Sequence, residues 1–178
     1  MQERVIILID GSNFYFKLKD LGLNKLLSFD FAKFNQFLSS KSVLVSSRYY
    51  IGRIKQDGTK KGEKLFSAQQ KLLASLKKSG TKYTLGYLLK NDGVYHEKGV
   101  DVQIAVDLLT AAYENQCDKI ILVSSDTDLG PAIKAAQTKG KSVEYVGFKH
   151  MPSRGMTQFC SSHRLLDKDM LKSLRLQK

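Results

Sequence analysis

The sequence predicts a single α/β domain built on a largely parallel central sheet. Strand-like and helix-like segments alternate along the chain, and the first strand, RVIILID (Arg4 to Asp10), is almost uninterruptedly apolar. The best amphipathic helix, Gly99 to Gln116, also runs straight into a second apolar strand, KIILVSS. Such alternation joins parallel strands through crossover helices, and a strand without a polar face must be covered on both sides. At 178 residues the chain is long enough to bury a core without disulfides or a structural metal. We expect residues 1–166 to form the domain and residues 167–178 a basic C-terminal helix or tail.

Taken in order, Gly11 and Ser12 turn the chain out of the first strand into a helix that runs to about Leu21. Asp30, suited to capping free N–H groups, opens a second helix to about Leu38. VLVSSRYYIGRI (Val43 to Ile54) reads as a strand, and KQDGTKKG after it as an exposed polar loop. From Glu63 to Lys78 the apolar residues Leu65, Phe66, Leu72, Leu73 and Leu76 recur at helical spacing, with Gly80 as the stop. YTLGYLLK (Tyr83 to Lys90) is predicted as one strand, followed by a polar turn. In the helix from Gly99 to Gln116 the core stripe is Ile104, Ala105, Leu108, Leu109 and Ala112. A rotation of about 100° per residue puts Asp101 on that inward stripe and Asp107 on the polar side with Gln103 and Glu114. Lys119 to Ser125 is the next strand, Leu129 to Thr138 a helix and Lys141 to Phe148 a strand. A short helix near Arg154 to Ser162 and a strand near Arg164 to Leu166 close the domain.

Composition narrows the function. The formal net charge is +12, and an excess of lysine and arginine attracts polyanions such as nucleic acid. That charge is uneven: between Gly99 and Gly130 stand Asp101, Asp107, Glu114, Asp118, Asp126 and Asp128 against Lys119 alone. An acidic island in a cationic body suits a site that holds metal cations while it gathers phosphates. Cys117 and Cys160 show no disulfide or zinc spacing, which fits a reducing, cytoplasmic setting. Neither a signal peptide's apolar core nor the ~20-residue apolar run of a membrane span is present, so no membrane partner is expected. His96, His150 and His163 share no ligand spacing, and nucleophile-elbow, Walker and dinucleotide patterns are absent.

The carboxylates are the sharper signal. Two apolar strands end in acids, VIILIDGSN at Asp10 and IILVSSDTD at Asp126 and Asp128. Open parallel sheets bind ligands at the carboxyl ends of strands where the strand order reverses. If these two strands are neighbours, Asp10, Asp126 and Asp128 meet there, and Asp101 reaches the same crevice from its helix. Asn13, Ser124, Ser125 and Thr127 are the hydrogen-bonding neighbours. Four carboxylates in one pocket repel each other unless a cation intervenes, and an all-oxygen set suits Mg²⁺ or Mn²⁺ better than zinc. A helix cap is the competing explanation at each position, strongest for Asp128 ahead of Leu129-Gly130-Pro131. Arg48, Arg53 and Lys55 among tyrosines, with Lys60, Lys61 and Lys64 in the following loop, are the candidate contacts to phosphates and bases; a solvated basic face with the tyrosines in the core is the competing explanation.

IDGSN, KGVDVQIAVDLL and ILVSSDTDLGPAIKAAQTKGKSVEYVG, in that order, resemble the LabA-like group of NYN domains within the PIN-like nuclease superfamily. The resemblance implies a three-layer α/β/α sandwich of Rossmannoid type and a Mg²⁺- or Mn²⁺-dependent site that cuts RNA. By position the family's metal-binding acids fall on Asp10, Asp101, Asp126 and Asp128, with Asn13 as polar partner. The third motif departs from the usual SGDGDF or SGDSDF: Ser125 replaces a glycine, narrowing the backbone's approach to substrate, and Leu129 an aromatic. The expected function is a divalent-metal-dependent ribonuclease acting on single-stranded or structured RNA, in which Asp10, Asp101 and Asp126 hold metal and Asp128 binds through water or orients the attacking water. An RNA-binding regulatory module with little or no catalysis is the alternative. A Rossmannoid phosphatase ranks last, because the acid-bearing helix precedes DTD. A homodimer is compatible with the sequence.

Overall fold

The computed structural model describes residues 2–56, 58–91 and 94–176. Six strands form one all-parallel sheet: β1 (Arg4–Asp10), β2 (Val43–Ile51), β3 (Lys82–Leu85), β6 (Lys119–Val123), β7 (Ser142–Phe148) and β8 (Ser162–Leu166). Their order is β3-β2-β1-β6-β7-β8, every neighbouring pair parallel. A separate antiparallel ribbon pairs β4 (Tyr87–Asn91) with β5 (Val94–Lys98).

Alternation in the strands builds two cores. Val5, Ile7 and Ile9 of β1 point to one face, Ile6 and Leu8 to the other, and Tyr49 and Tyr50 of β2 divide the same way. The first face carries α1 (Gly11–Asp20), α2 (Phe31–Ser39) and α3 (Lys60–Lys78) through Phe14, Leu18, Phe31, Phe34, Leu38 and Leu72. The second carries α4 (Val100–Tyr113), α5 (Gly130–Thr138) and α6 (Arg154–Phe159) through Ile104, Leu108, Ile133 and Met156. The expected three-layer α/β/α sandwich is therefore what forms. Parallel crossovers are right-handed, so helices change face where the strand order changes direction. Here β1, β2 and β3 step one way with helices on one face, and β6, β7 and β8 step the other way with helices on the opposite face. The reversal lies between β1 and β6, whose carboxyl ends are Asp10 and Val123.

The sequence reading departs from the structure at several boundaries. Strand β2 ends at Ile51 rather than Ile54, because Gln69 of α3 takes over the following backbone by donating to Gly52 O (2.7 Å) and accepting from Ile54 N–H (3.0 Å). Helix α3 begins at Lys60, three residues early, because the Thr59 hydroxyl caps it through Gly62 N–H (3.0 Å). Lys60, Lys61 and Lys64 thus sit on the first turns of a helix and not in a loop. YTLGYLLK is two strands: Gly86 donates to Ile51 O (2.9 Å) as the last bond to the sheet edge, and the chain then leaves to form the ribbon. Of the residues expected as a polar turn, Val94–Lys98 supply that ribbon's second strand, and residues 92–93 lie outside the described residues. The C-terminal segment forms a short helix, α7 (Lys168–Ser173), whose Leu171 joins Leu174 and Phe29 in the first core. No helix among the described residues is long and apolar enough to cross a membrane.

Gly11, directly after Asp10, is fixed by close approach. A Cβ there would lie 2.3 Å from Tyr49 Cε1 and 2.5 Å from Tyr50 O, and both tyrosines are fully buried. Tyr49 also donates its hydroxyl to Gly11 O (3.2 Å). The expected result of Gly11→Ala is a loss of about 1–3 kcal/mol of stability, the usual cost of overpacking. Urea unfolding measures it, and a midpoint equal to that of the unsubstituted chain would contradict the packing described.

Candidate functional site

At the reversal between β1 and β6, two side chains meet across neighbouring strands. Ser124, the residue after β6, donates its hydroxyl to Asp10 Oδ2 at 2.8 Å, and the Asn13 N–H donates to Asp10 Oδ1 at 3.0 Å. Both oxygens of Asp10 are therefore engaged, and its side chain is 5% exposed. The bond network continues along the next loop: Asp126 N–H donates to Ser124 Oγ (3.1 Å), and Asp128 N–H donates to Asp126 Oδ1 (2.9 Å). Asp10 is thus the N-cap of α1, and Asp126 caps the short 3-10 turn Thr127–Leu129.

A cleft of about 690 Å³ opens here, lined by Asp10, Asn13, Asp101 and Asp126, together with Ser12, Phe16, Lys98 and Val102. Its walls follow from the topology: α1 starts from the end of β1 on one face of the sheet, and α4 starts on the other. Gly99 makes the tight entry into α4. Its φ is +87°, a left-handed conformation that favours glycine, and a Cβ would lie 2.5 Å from Cε1 of the exposed Tyr87 ring, which would have to turn aside.

Electrostatically the cluster is under-compensated. Burial pushes the Asp10 carboxyl above the ordinary carboxylate range; the bonds from Asn13 and Ser124 oppose this, while Asp101 and Asp126 add repulsion. Asp101 is raised as well, by desolvation first and then by Asp126 and Asp128. Among the described residues, no ion pair reaches Asp10, Asp101, Asp126 or Asp128. Nor is any group of three or more His, Cys, Asp or Glu side chains gathered closely enough to enclose a metal directly. The arrangement is an open ring of acids and not a closed cage.

Several expectations change. Asp101, read as inward, is exposed and opens onto the cleft from the first turn of α4. Asp107, read as surface, is the more enclosed of the two. It is ion-paired to Arg48, accepts the Tyr50 hydroxyl (2.6 Å) and accepts Gln103 Nε2 (2.8 Å). The helix wheel failed because α4 meets β2 through polar groups, Asp107 against Arg48 and Tyr50, so the inward arc is wider than its apolar stripe. The capping assignments also reverse: Asp126 caps, whereas Asp128 is exposed and α5 receives no side-chain cap. Ser125 does not narrow the cleft, since its hydroxyl is 3.1 Å from Tyr145 Oη, away from the lining residues. Thr127 sets its methyl against Gly155 of α6.

Of the candidate basic residues, Arg48 is ion-paired to Asp107, which also accepts the Tyr50 hydroxyl. Arg53 and Lys55, after the end of β2, and Lys60, Lys61 and Lys64, on the first turns of α3, are exposed. Because all strands of the six-stranded sheet are parallel, the connection from β2 into α3 lies at the same sheet end as the acids. Tyr49 and Tyr50 are core and offer nothing to a ligand. Burial pushes the Cys117 thiol up to about 11 and Cys160 up to about 12, so neither supplies a thiolate nucleophile. Sequence reasoning missed Lys98, Phe16 and Val102. The signal for Phe16 was present: Phe14 and Leu18, four residues apart, face the core and leave Phe16 turned outward.

Known proteins agree with this architecture. The crystal structure of VPA0982 from Vibrio parahaemolyticus, a protein of unknown function, superimposes with a TM-score of 0.73 at 24% identity, covering 96% of each chain. The uncharacterized protein MJ0482 of Methanocaldococcus jannaschii is 27% identical over 148 residues, 82% of this chain and 48% of that protein. The chain therefore spans about half the length of that curated relative. The sequence profile of the NYN domain matches residues 4–167. A match of that extent makes the chain a member of the NYN domain family, whose domains are PIN-like nucleases.

Proposed function

We propose that the chain is a divalent-metal-dependent ribonuclease acting in the cytoplasm. The observation that carries this reading is the meeting of Asp10, Asp101 and Asp126 in one cleft at the sheet's reversal point, their carboxylates repelling one another with no described cation between them. Such a cluster persists at a cost in stability unless a cation relieves it. The donor set is all oxygen and open, which fits Mg²⁺ or Mn²⁺. Mg²⁺ dehydrates reluctantly and is held by one or two carboxylates plus water and substrate phosphate, so direct enclosure by three carboxylates is not required.

Asp10, Asp101 and Asp126 would hold the ion, and the exposed Asp128 would orient the attacking water. When bound, the ion supplies a water of lowered pKa and charge stabilisation on the phosphoryl oxygen. Asn13 offers its amide to the same cleft, and Ser124 and Asn13 N–H keep the Asp10 carboxylate in one orientation. Lys98 at the rim, with Arg53, Lys55, Lys60, Lys61 and Lys64 at the same sheet end, draws the RNA backbone in. Arg48, committed to Asp107, acts by holding α4 in place.

One observation favours a second reading, an RNA-binding module with little catalysis: the acids are not drawn together into a ready-made metal cage. The two readings separate in one assay. With Mn²⁺ or Mg²⁺ and single-stranded RNA, the nuclease reading expects cleavage that chelation abolishes and that Asp10→Asn with Asp126→Asn lowers at least about 100-fold, the scale of losing metal-site function. Metal-independent, salt-sensitive binding without product supports the module instead.

Electrostatics gives an independent test without metal. Raised carboxyl groups stabilise the fold below their unfolded pKa, and this contribution is lost as pH rises through the folded value. At neutral pH a charged Asp10 therefore works against folding. Asp10→Asn retains a capping oxygen for Asn13 N–H. In chelator at pH 7 it is expected to melt above the unsubstituted chain, with the gap closing as pH falls toward about 4. A variant that melts lower throughout the range would contradict the repulsion.

A further inference from the structure

We propose that Phe16 and Val102 form an apolar jaw that takes one unpaired base of single-stranded RNA beside the acids, with Lys98 meeting the adjoining phosphate. The proposal rests on the nuclease reading for its substrate class, and it assigns the cleft a selectivity for unpaired bases.

Phe16 is 58% exposed and Val102 67% exposed, although each stands next to residues that are deeply buried or line the same cleft. Phe14 and Leu18 anchor α1 in the core, and Val100 and Ile104 anchor α4. The two side chains are therefore held on anchored helices, Phe16 on the second turn of α1 and Val102 on the first turn of α4, and are not loose surface groups. A lone exposed apolar residue is ordinary; here two of them, from helices on opposite faces of the sheet, line one cleft that also contains three carboxylates and a lysine. Tyr15 meets the Phe16 ring at a centroid distance of 5.6 Å and 66° between planes, which steadies one edge of the ring and leaves a face open.

A ligand that fits must present a flat apolar surface and a negative charge to the same cleft, and must tolerate carboxylates nearby. A nucleotide does so: the base meets the ring and the phosphate meets Lys98. Phenylalanine has no hydrogen-bonding group, so the contact is tolerant of base identity, as stacking platforms for single strands are. In a duplex each base already has its faces covered by its neighbours, and the jaw has nothing to grip.

The test uses the full chain in EDTA, where no metal-dependent cleavage interferes, and fluorescence anisotropy with a labelled single-stranded RNA or its blunt duplex. Phe16→Ala is expected to weaken single-strand binding about tenfold, the scale of one lost base–aromatic stack, with the duplex unaffected. Phe16→Trp is expected to restore binding. An abasic residue at one position of the RNA should cost the unsubstituted protein a similar factor and Phe16→Ala nothing. Because Phe16 is exposed, its replacement leaves the core intact, which thermal melting checks. Equal binding by Phe16→Ala, equal losses for strand and duplex, or no single-strand binding at all would overturn the jaw. The nuclease reading is scored separately by Mn²⁺-dependent cleavage. Phe16-dependent binding without cleavage leaves the jaw standing and removes the nuclease, whereas cleavage insensitive to Phe16 does the reverse.

Discussion

The bond from Ser124 Oγ to Asp10 Oδ2 joins β1 to the loop after β6 at the one place where the sheet changes direction, and much of the molecule is arranged around it. Asp10 is a carboxylate inside an otherwise apolar sheet end, and a buried carboxylate must be satisfied by donors or by a cation. The chain satisfies it with one hydroxyl and one backbone N–H, both from residues whose positions are set by strand and helix geometry. The same donors that orient Asp10 also position its neighbours: Ser124 accepts from Asp126 N–H, and Asp126 in turn holds the 3-10 turn carrying Asp128. A helix cap and a metal ligand are usually rival explanations for an aspartate after a strand. Here the capping bonds use backbone donors to fix the carboxylates, so a cap and a ligand are compatible at the same residue.

The second wall of the cleft is held from a distance. Asp101 sits on the first turn of α4, and α4 is fixed to the sheet by apolar packing on one side and by Asp107 on the other. Arg48, Tyr50 and Gln103 all converge on that single carboxylate. Tyr50 is paired in register with Asp10, so the strand that flanks the first acid also tethers the helix that carries the second. Tyr49, its neighbour, bonds Gly11 O from the opposite face. Two adjacent buried tyrosines thus tie both walls of the cleft to β2. Rigid support of this kind is what a site needs when its charged groups would otherwise drift apart.

The fold was legible because it follows from short-range patterns. Doubly buried strands read as apolar runs, and the helices showed their periods and caps. Where boundaries moved, the cause was tertiary: Gln69 reaching back to Gly52 and Ile54, or the sheet edge ending at Gly86. The β4–β5 ribbon went unread, although the Asp92-Gly93 dipeptide is a hairpin signal and was available in the sequence. Of the site, the strand-end acids and Ser124 could be named because topology alone brings β1 and β6 together. The roles of Asp101 and Asp107 could not be assigned from a helix wheel, which knows the apolar stripe but not that a polar contact with β2 widens the buried arc. Capping at Asp126 instead of Asp128 depends on a local 3-10 turn that no sequence period marks. Phe16 was readable from its own helix, yet its meaning depends on Val102 and Lys98, which are distant in sequence.

The central claim is that the cluster around Asp10 exists to hold a divalent cation. Crystals grown with Mn²⁺ and measured at the manganese absorption edge test it most directly. The account predicts an anomalous peak in the cleft bounded by Asp10, Asp101 and Asp126, with water completing the coordination. A well-ordered structure with Asp10 still bonded only to Ser124 and Asn13, and no anomalous peak among the acids, would contradict it.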